Sequence, residues 1–504
     1  MQRIANTILA LRGLSSGVWV IGALFVISAV FVLNREQAQR GDLEFWLFSL
    51  EHEQMYIPLI KEYEQAEGLE LDTTLMSIPA IQSRMMSGFF GGLPTADLIE
   101  IERAVAPQVF MGPTEAIGLT DLTDMLASDG LLEQLNKPSL SPWSVDGRVF
   151  GLPHDVHPVM LAYRADLTEA AGIDLTQVET WEEYFRALRP LMKDEDGDGK
   201  PDHTPLSFWY TNQDMIETLL LQGDGQLFTQ GGTPTIDNER NAMLIAEMAS
   251  WCVGTDPVAI YVDEWSAGGH QDKVNGVAIG YIAPDWMCSI WKMHVPGLEG
   301  KLKLIPLPAF EPGGRRTSVR GGTMLGIPKT TEQFDRAWAY AKLLYTSPEV
   351  ARQLYQEVDI ISPVKSLWDD PVYDQPDPFF MNQRKGRMYI ELAPDIPLRP
   401  SSPYNKQAAI DVRDAMGQLA DYARVNRVYT SEELLPKAKE LLSRVQKQTE
   451  RRMSRNAFAA EDLAASGRGG EHCGVGRSIG RGWYSRGRCS RRFWRCSSSL
   501  LCTH

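Results

Sequence analysis

Between Leu43 and Ile101 short extended apolar runs alternate with amphipathic ones, and this alternation limits what the chain can fold into more than any other feature. Leu43–Phe48 alternates as a strand does, Glu53–Ala66 carries its apolar side chains at helical spacing, and Leu69–Leu75 reads as a second strand. Pro79–Phe90 is helical again and Ala96–Ile101 is a third strand. The order strand–helix–strand–helix–strand builds an α/β, mostly parallel sheet flanked by helices, and such sheets take ligands beyond the carboxyl ends of their strands. The pattern resumes after Gly151. Met160–Tyr163, Val277–Ile282 and Met324–Pro328 read as buried strands, and Thr180–Met192, Asn238–Cys252, Gln333–Tyr345 and Pro348–Gln356 as helices. The first of these helices opens on Thr180 with Glu183 at the capping-box position. No repeat of fixed period is visible, and 504 residues leave room for two lobes of unequal size.

Charge and cysteine divide the chain unevenly. Residues 466–504 hold eight arginines against one acid, so the remainder is far more acidic than the overall net charge of −15. An acidic body argues against a surface built for nucleic acid. Cys473, Cys489, Cys496 and Cys502 also fall in this tail, which reads either as a basic arm for an acidic surface or as a stretch out of frame with the body, and is expected to be disordered. Cys252 and Cys288 are the only cysteines before it, and they read equally as one disulfide or as two buried thiols.

At the other end, Leu14–Leu33 is a run of twenty residues without a charge, long enough for a helix of about 30 Å, the thickness of a bilayer core. Secretory cleavage wants small residues at the end of such a run, and Leu33-Asn34-Arg35-Glu36 supplies none. Residues 14–33 read as a transmembrane anchor or a long signal segment, the uncleaved anchor being favoured, with residues 1–13 cytoplasmic and the body outside.

Four stretches carry a family resemblance. They are Phe45-Trp46 through Tyr63-Glu64; Gly151–Leu167 with Ala171-Gly172-Ile173 and Thr180-Trp181-Glu182-Glu183; Gly280–Trp286; and Gly321–Lys329 with Ala337-Trp338 and Tyr345–Glu349. Together they resemble the extracytoplasmic solute-binding proteins of bacterial ABC sugar importers, family 1, the maltose-binding-protein-like group, over roughly residues 43–445. The resemblance implies a two-lobed periplasmic-binding-protein fold of class II type with discontinuous lobes: 42–152 with 313–365, and 153–312 with 366–450. It implies chain crossings near Gly151–Pro153 and Pro306–Gly313, with helices Asn405–Arg427 and Ser431–Glu450 packed back on the second lobe. It also implies partners: a sugar or oligosaccharide, ABC permease subunits, and the membrane, with the body a monomer. No cysteine precedes Cys252, so the apolar segment would replace the lipid-modified N-terminal cysteine that such proteins often carry.

A sugar offers apolar C–H faces and a rim of hydroxyls, so its site needs aromatic platforms with planar polar groups around them. The body has ten tryptophans. By position in the resembling segments, Trp286 and Trp209 with Tyr210 look like the family's stacking aromatics, with Trp46 at the end of the first strand, whereas Trp181 and Trp338 lie on amphipathic helices and read as core. The polar candidates are Glu51 and His52 after the first strand, Glu100 and Glu102 at the third, Asp155 and His157 at the first crossing, and later Arg399 and Tyr404. Trp286→Ala is expected to abolish ligand response and leave the unliganded melting temperature nearly unchanged.

Asp194, Asp196, Asp198 and Asp202 set carboxylates around a glycine-permitted turn, as the start of an EF-hand calcium loop does, but Pro205 stands where its bidentate Glu belongs. The loop reads equally as a structural calcium site or as a solvated acidic turn, and no cofactor is required. P-loop and His-x-x-x-His motifs are lacking, and Gly-x-Ser-x-Gly occurs only outside the body, at Gly13–Gly17 and Gly476–Gly480, so the chain is expected not to be an enzyme. The alternatives from other classes are a membrane-anchored glycoside hydrolase and a carbohydrate receptor domain.

Overall fold

Two five-stranded mixed sheets, each with helices against it, organise the chain. The computed structural model describes residues 20–25, 28, 42–194, 197, 201–400 and 402–455. The first lobe opens with β1 (Leu43–Leu47), α1 (Leu50–Glu67), β2 (Leu71–Leu75), α2 (Ile78–Gly91) and β3 (Leu98–Glu102), close to the boundaries read from the sequence. Ser49 caps α1 by accepting from the His52 amide, and Gly68 ends it in the left-handed region. After several short helices the chain forms β4 (Leu152–Pro153) and leaves for the second lobe.

That lobe holds β5 (Val159–Arg164), α3 (Trp181–Leu188), β6 (Thr204–Ser207), α4 (Gln213–Gln222), α5 (Glu239–Trp251), β7 (Ala259–Ile260), α6 (Ala267–Asn275), β8 (Ala278–Pro284), α7 (Asp285–His294) and β9 (Leu302–Pro306). Thr180 and Glu183 form the expected capping box at α3, a device worth about 0.5–2 kcal/mol. The chain then returns through β10 (Thr323–Gly326), α8 (Phe334–Thr346) and α9 (Pro348–Val358), and crosses once more to α10 (Lys385–Leu392), α11 (Asn405–Asn426) and α12 (Ser431–Met453). Leu419, Leu434, Leu441 and Leu442 of the last two helices share a core with Ile245 and Trp251 of α5.

The first sheet runs β2-β1-β3-β10-β4 and the second β9-β5-β8-β6-β7. In each, three neighbouring strands are parallel and the remaining two join antiparallel, so the sheets are mixed, a correction to the mostly parallel expectation. The reversals arise at the crossings, because β10 re-enters the first sheet against β3 and β5 enters the second against β8.

The second crossing also lies elsewhere than expected. Between Pro306 and Val319 the chain stays on the second lobe: Arg315 donates to Leu221 O, Arg316 to Val178 O, Thr317 to Val159 O and Ser318 to Thr218 O. The passage to the first sheet is made by residues 320–322. A third crossing follows α9, where the Val156 amide donates to Ile361 O at 3.2 Å.

Trp181 and Trp338 are buried, as core side chains are. Cys252 and Cys288 are separate buried thiols, both pushed up to about 12 by burial. Among the described residues no helix is long and apolar enough to cross a membrane, which leaves the expected transmembrane helix without support. Most of the run 14–33, and all of the tail 466–504, lie outside the described residues.

A candidate ligand cleft between the lobes

The carboxyl ends of β1 and β3 meet the crossing segments and the starts of α4 and α7 around a cavity of about 860 Å³. Of the residues expected from the sequence, Glu51, His52, Glu102, Asp155, His157, Trp286 and Arg399 line it.

On the first lobe, His52 is held by the wholly buried Glu100, Nδ1 to Oε1 at 3.0 Å, and Tyr345 donates to the same oxygen at 2.9 Å. Burial opposes charge on both partners, yet their mutual attraction and hydrogen bond outweigh it, raising His52 and lowering Glu100. Glu100 therefore orients His52 from beneath and does not line the cavity. Glu102 does line it, with Oε2 taking the Ala104 amide at 2.8 Å, and burial pushes its carboxyl up to about 7. Next to it Arg103 reaches the second lobe, Nη2 to Glu217 Oε1 at 2.5 Å.

The crossings are tied together by charge. His157 has both ring nitrogens bonded, Nε2 to Asp155 Oδ2 at 3.0 Å and Nδ1 to Asp285 Oδ1 at 2.7 Å. Asp155 also accepts the Thr323 amide of the second crossing, and Asp285 the Ile361 amide of the third. Burial disfavours the imidazolium, but the two flanking carboxylates push it up to about 10, while burial of Asp155 is in turn outweighed by His157 and His154, which hold its carboxyl well below the usual range. Arg399, 6% exposed, donates from Nη1 to Gly321 O at 2.5 Å; burial and the neighbouring Arg103 push it down to about 10.

The second lobe supplies an aromatic wall. Trp286 is half-buried, with its indole N–H on Arg320 O at 3.1 Å. Trp265 lies parallel to it, centroids 6.2 Å apart at 5°, and is 61% exposed; Tyr261, 52% exposed, continues the wall toward solvent. Trp265, Tyr261, Arg103, Arg320 and Asp285 escaped the sequence reading. The local signal for Trp265 was Asp263-Glu264-Trp265-Ser266, an acidic turn running into the Ser266 cap of α6, where a tryptophan has no helix face to pack into.

Four expected residues lie elsewhere. Trp46 is 4% exposed, bonded through Nε1 to Glu44 Oε1 at 2.7 Å and covered by Arg84. Its sheet is packed on both faces, so a tryptophan on β1 is taken up by core before it reaches the cleft. Trp209 and Tyr210 meet with ring centroids 4.6 Å apart and planes tilted by 34°, and pack against the second lobe's core, with Arg424 of α11 over Tyr210. Tyr404 joins the same core at the start of α11. In the acidic loop Asp194 Oδ1 accepts the Gly197 amide at 2.7 Å, while Asp196 and Asp198 lie outside the described residues. Among the described residues no group of three or more His, Cys, Asp or Glu side chains is placed to hold a metal ion.

Two α/β lobes, three crossings and a cleft lined by polar groups of both lobes and tryptophans of the second define a two-lobed ligand-binding protein. The chain belongs to the bacterial extracellular solute-binding protein family, whose model matches residues 81–351. Membership places the body on the extracytoplasmic side, and among binding proteins rather than enzymes. An arabinooligosaccharide-binding protein of Bacillus subtilis is 24% identical over 62% of this chain and 71% of its own length. Another, from Halalkalibacterium halodurans, is 22% identical over 80% of this chain and 88% of its own length. The sugar-binding protein MalE of Xanthomonas citri shares the fold at a TM-score of 0.64 and 17% identity, over 81% of this chain and 99% of that one.

Proposed function

We propose that this chain is the substrate-binding component of an ABC importer, capturing a sugar or oligosaccharide between its lobes and presenting it to permease subunits. The observation that carries the proposal is the cleft's combination of rings and polar groups: Trp286, Trp265 and Tyr261 of the second lobe share the lining with Asp214, Glu217 and Lys406 of that lobe and with Glu51, His52, Glu102 and Arg103 of the first. Stacking rings suit the apolar faces of a sugar, and planar acceptors and donors suit its hydroxyls. Most charges in the cleft are already paired, Asp155 with His157, Glu217 with Arg103 and Arg320 with Asp214, which favours an uncharged guest. The names of the two curated relatives make arabino-oligosaccharides the first candidates. A ligand touching both lobes favours the closed form by its differential binding energy, and no bond in it is made or broken.

The test is a thermal-shift panel of arabino-, malto- and galacto-oligosaccharides on the body, with reducing-end release followed in the same samples. A saccharide at about a hundred times its Kd should stabilise the protein by about 2.7 kcal/mol and release no reducing ends. A flat panel, or turnover of the sugar, would overturn the proposal.

Attachment of the body to the membrane by residues 14–33 is a further part of the proposal, supported by the charge-free run alone. The full chain should remain with membranes after an alkaline carbonate wash, and its release by that wash would remove the anchor.

A further inference from the structure

Each segment that passes between the lobes carries a buried charge fastened to the second lobe. On the first, His157 is bonded to Asp285 at the start of α7. On the second, Arg320 is held three times, Nε to Asp214 Oδ2 at 2.6 Å and the two Nη atoms to the Glu264 carboxylate at 2.9 and 2.7 Å. On the third, Asp359 meets Lys292 at 2.9 Å and Lys385 at 2.5 Å. Toward the first lobe the second crossing continues by two glycines into β10. Gly321 and Gly322 have φ of 92° and 129°, a region closed to side chains, and a Cβ on Gly321 would come within 3.0 Å of Trp286 Nε1 and 3.1 Å of His157 Cδ2.

Arg320 touches Trp286 directly and is tied to Trp265 through Glu264. Its carbonyl takes the Trp286 indole N–H, its guanidinium lies 5.7 Å from that ring's centre, and its bidentate partner Glu264 precedes Trp265 in the chain. Asp285 does the same for Trp286 from the other side, accepting its amide at 2.9 Å while holding His157 and Ile361. Asp285 does not line the cavity. It can act on a ligand only through these neighbours.

We propose that Arg320 and Asp285 are positioning residues for the aromatic wall. They fasten the crossings to the second lobe so that Trp265 and Trp286 keep their spacing and travel with it, and the swing of the first lobe is taken up at Gly321–Gly322. A multidentate guanidinium suits this role because its planar fork fixes direction as well as distance, which a lysine ammonium does not. The proposal rests on the assignment of the cleft as the ligand site only for its effect on affinity. The placement of the two rings can be read without a ligand.

The experiment is fluorine NMR of fluorotryptophan-labelled full chain, with Trp265 and Trp286 assigned by the signals lost in Trp265→Phe and Trp286→Phe. In Arg320→Met both resonances should shift and broaden in the unliganded protein, while those of core residues such as Trp181 and Trp338 stay in place. Arabinotriose, or whichever saccharide the panel selects, should bind about tenfold or more weakly, with Arg320→Lys intermediate. Unmoved Trp265 and Trp286 resonances in Arg320→Met would overturn the proposal. If that variant fails to fold, Glu264→Gln keeps the bond to Asp214 and loosens only the fork: a shifted Trp265 signal then supports the proposal and an unchanged one overturns it. Should the resonances move in a protein that binds no saccharide, the positioning role stands and the ligand assignment falls.

Discussion

His157→Asn should destabilise the folded body by about 3–5 kcal/mol, the range for breaking a buried, hydrogen-bonded ion pair from one side. His157 has a φ of 54°, a conformation that asparagine tolerates better than most residues, so the change tests the charge more than the backbone. Without the imidazolium, Asp155 and Asp285 remain buried with backbone amides and, for Asp155, the His154 ring at 3.4 Å, but with no cation between them. The pH dependence separates this from generic damage. In the folded protein His157 is held up to about 10 against an ordinary 6.5, so its contribution is complete below pH 6.5 and drains away as pH rises toward 10. Asp155 is depressed, so its share is present above the ordinary carboxylate range and lost only in strong acid. Glu102, raised to about 7, loses stability between about pH 4.5 and 7 in both proteins, so the comparison is read above pH 7. There the wild-type melting temperature should fall steadily while the variant, lower throughout, lacks that component. Equal slopes for the two would mean that His157 is not the cation of this cluster.

The parts of the fold that were legible in the sequence are those set by local periodicity. The first three strands and both intervening helices were found within a few residues of their bounds, and Thr180 with Glu183 announced α3 correctly, because caps and amphipathic stripes are short-range chemistry. What was lost depends on contacts distant in sequence. The resemblance implied a crossing near Pro306–Gly313, but Arg315 to Ser318 are kept on the second lobe by bonds to carbonyls of residues 159, 178, 218 and 221, which no local pattern reveals. Trp46 was misplaced for a related reason. A strand covered on both faces reads as nearly continuous apolar sequence, so nothing in Phe45-Trp46-Leu47 says which ring meets the cleft. Trp265 was missed because its place is fixed by Glu264 pairing with Arg320, 56 residues away. His52, Asp155, His157 and Trp286 were found at the ends of strands, where an α/β sheet presents its ligand-facing groups.

Trp286→Ala should cut the saccharide-induced stabilisation, read at about a hundred times the wild-type Kd, from about 2.7 to about 0.9 kcal/mol or less, since a stacked aromatic at the centre of a binding surface commonly carries about 2 kcal/mol or more, a loss of about thirtyfold in affinity. The structure changes the other half of the expectation drawn from the sequence, that the unliganded protein would be untouched. The ring is half-buried against two core clusters, lies edge-on to His157 at 6.4 Å, and gives its N–H to Arg320 O. Truncation therefore leaves a cavity beside the crossings, and the unliganded body should lose about 1–3 kcal/mol, less than the 3–5 typical of a fully buried tryptophan. Trp286→Phe divides the two effects: it keeps a stacking face and most of the packing but loses the bond to Arg320 O. It should restore most of the stability and part of the ligand response. Trp209→Ala provides the contrast, because Trp209 packs against the second lobe's core away from the cavity lining. It should cost stability and leave the ligand-induced shift intact. A saccharide shift that was undiminished in Trp286→Ala but vanished in Trp209→Ala would place the guest somewhere other than the cleft between the lobes.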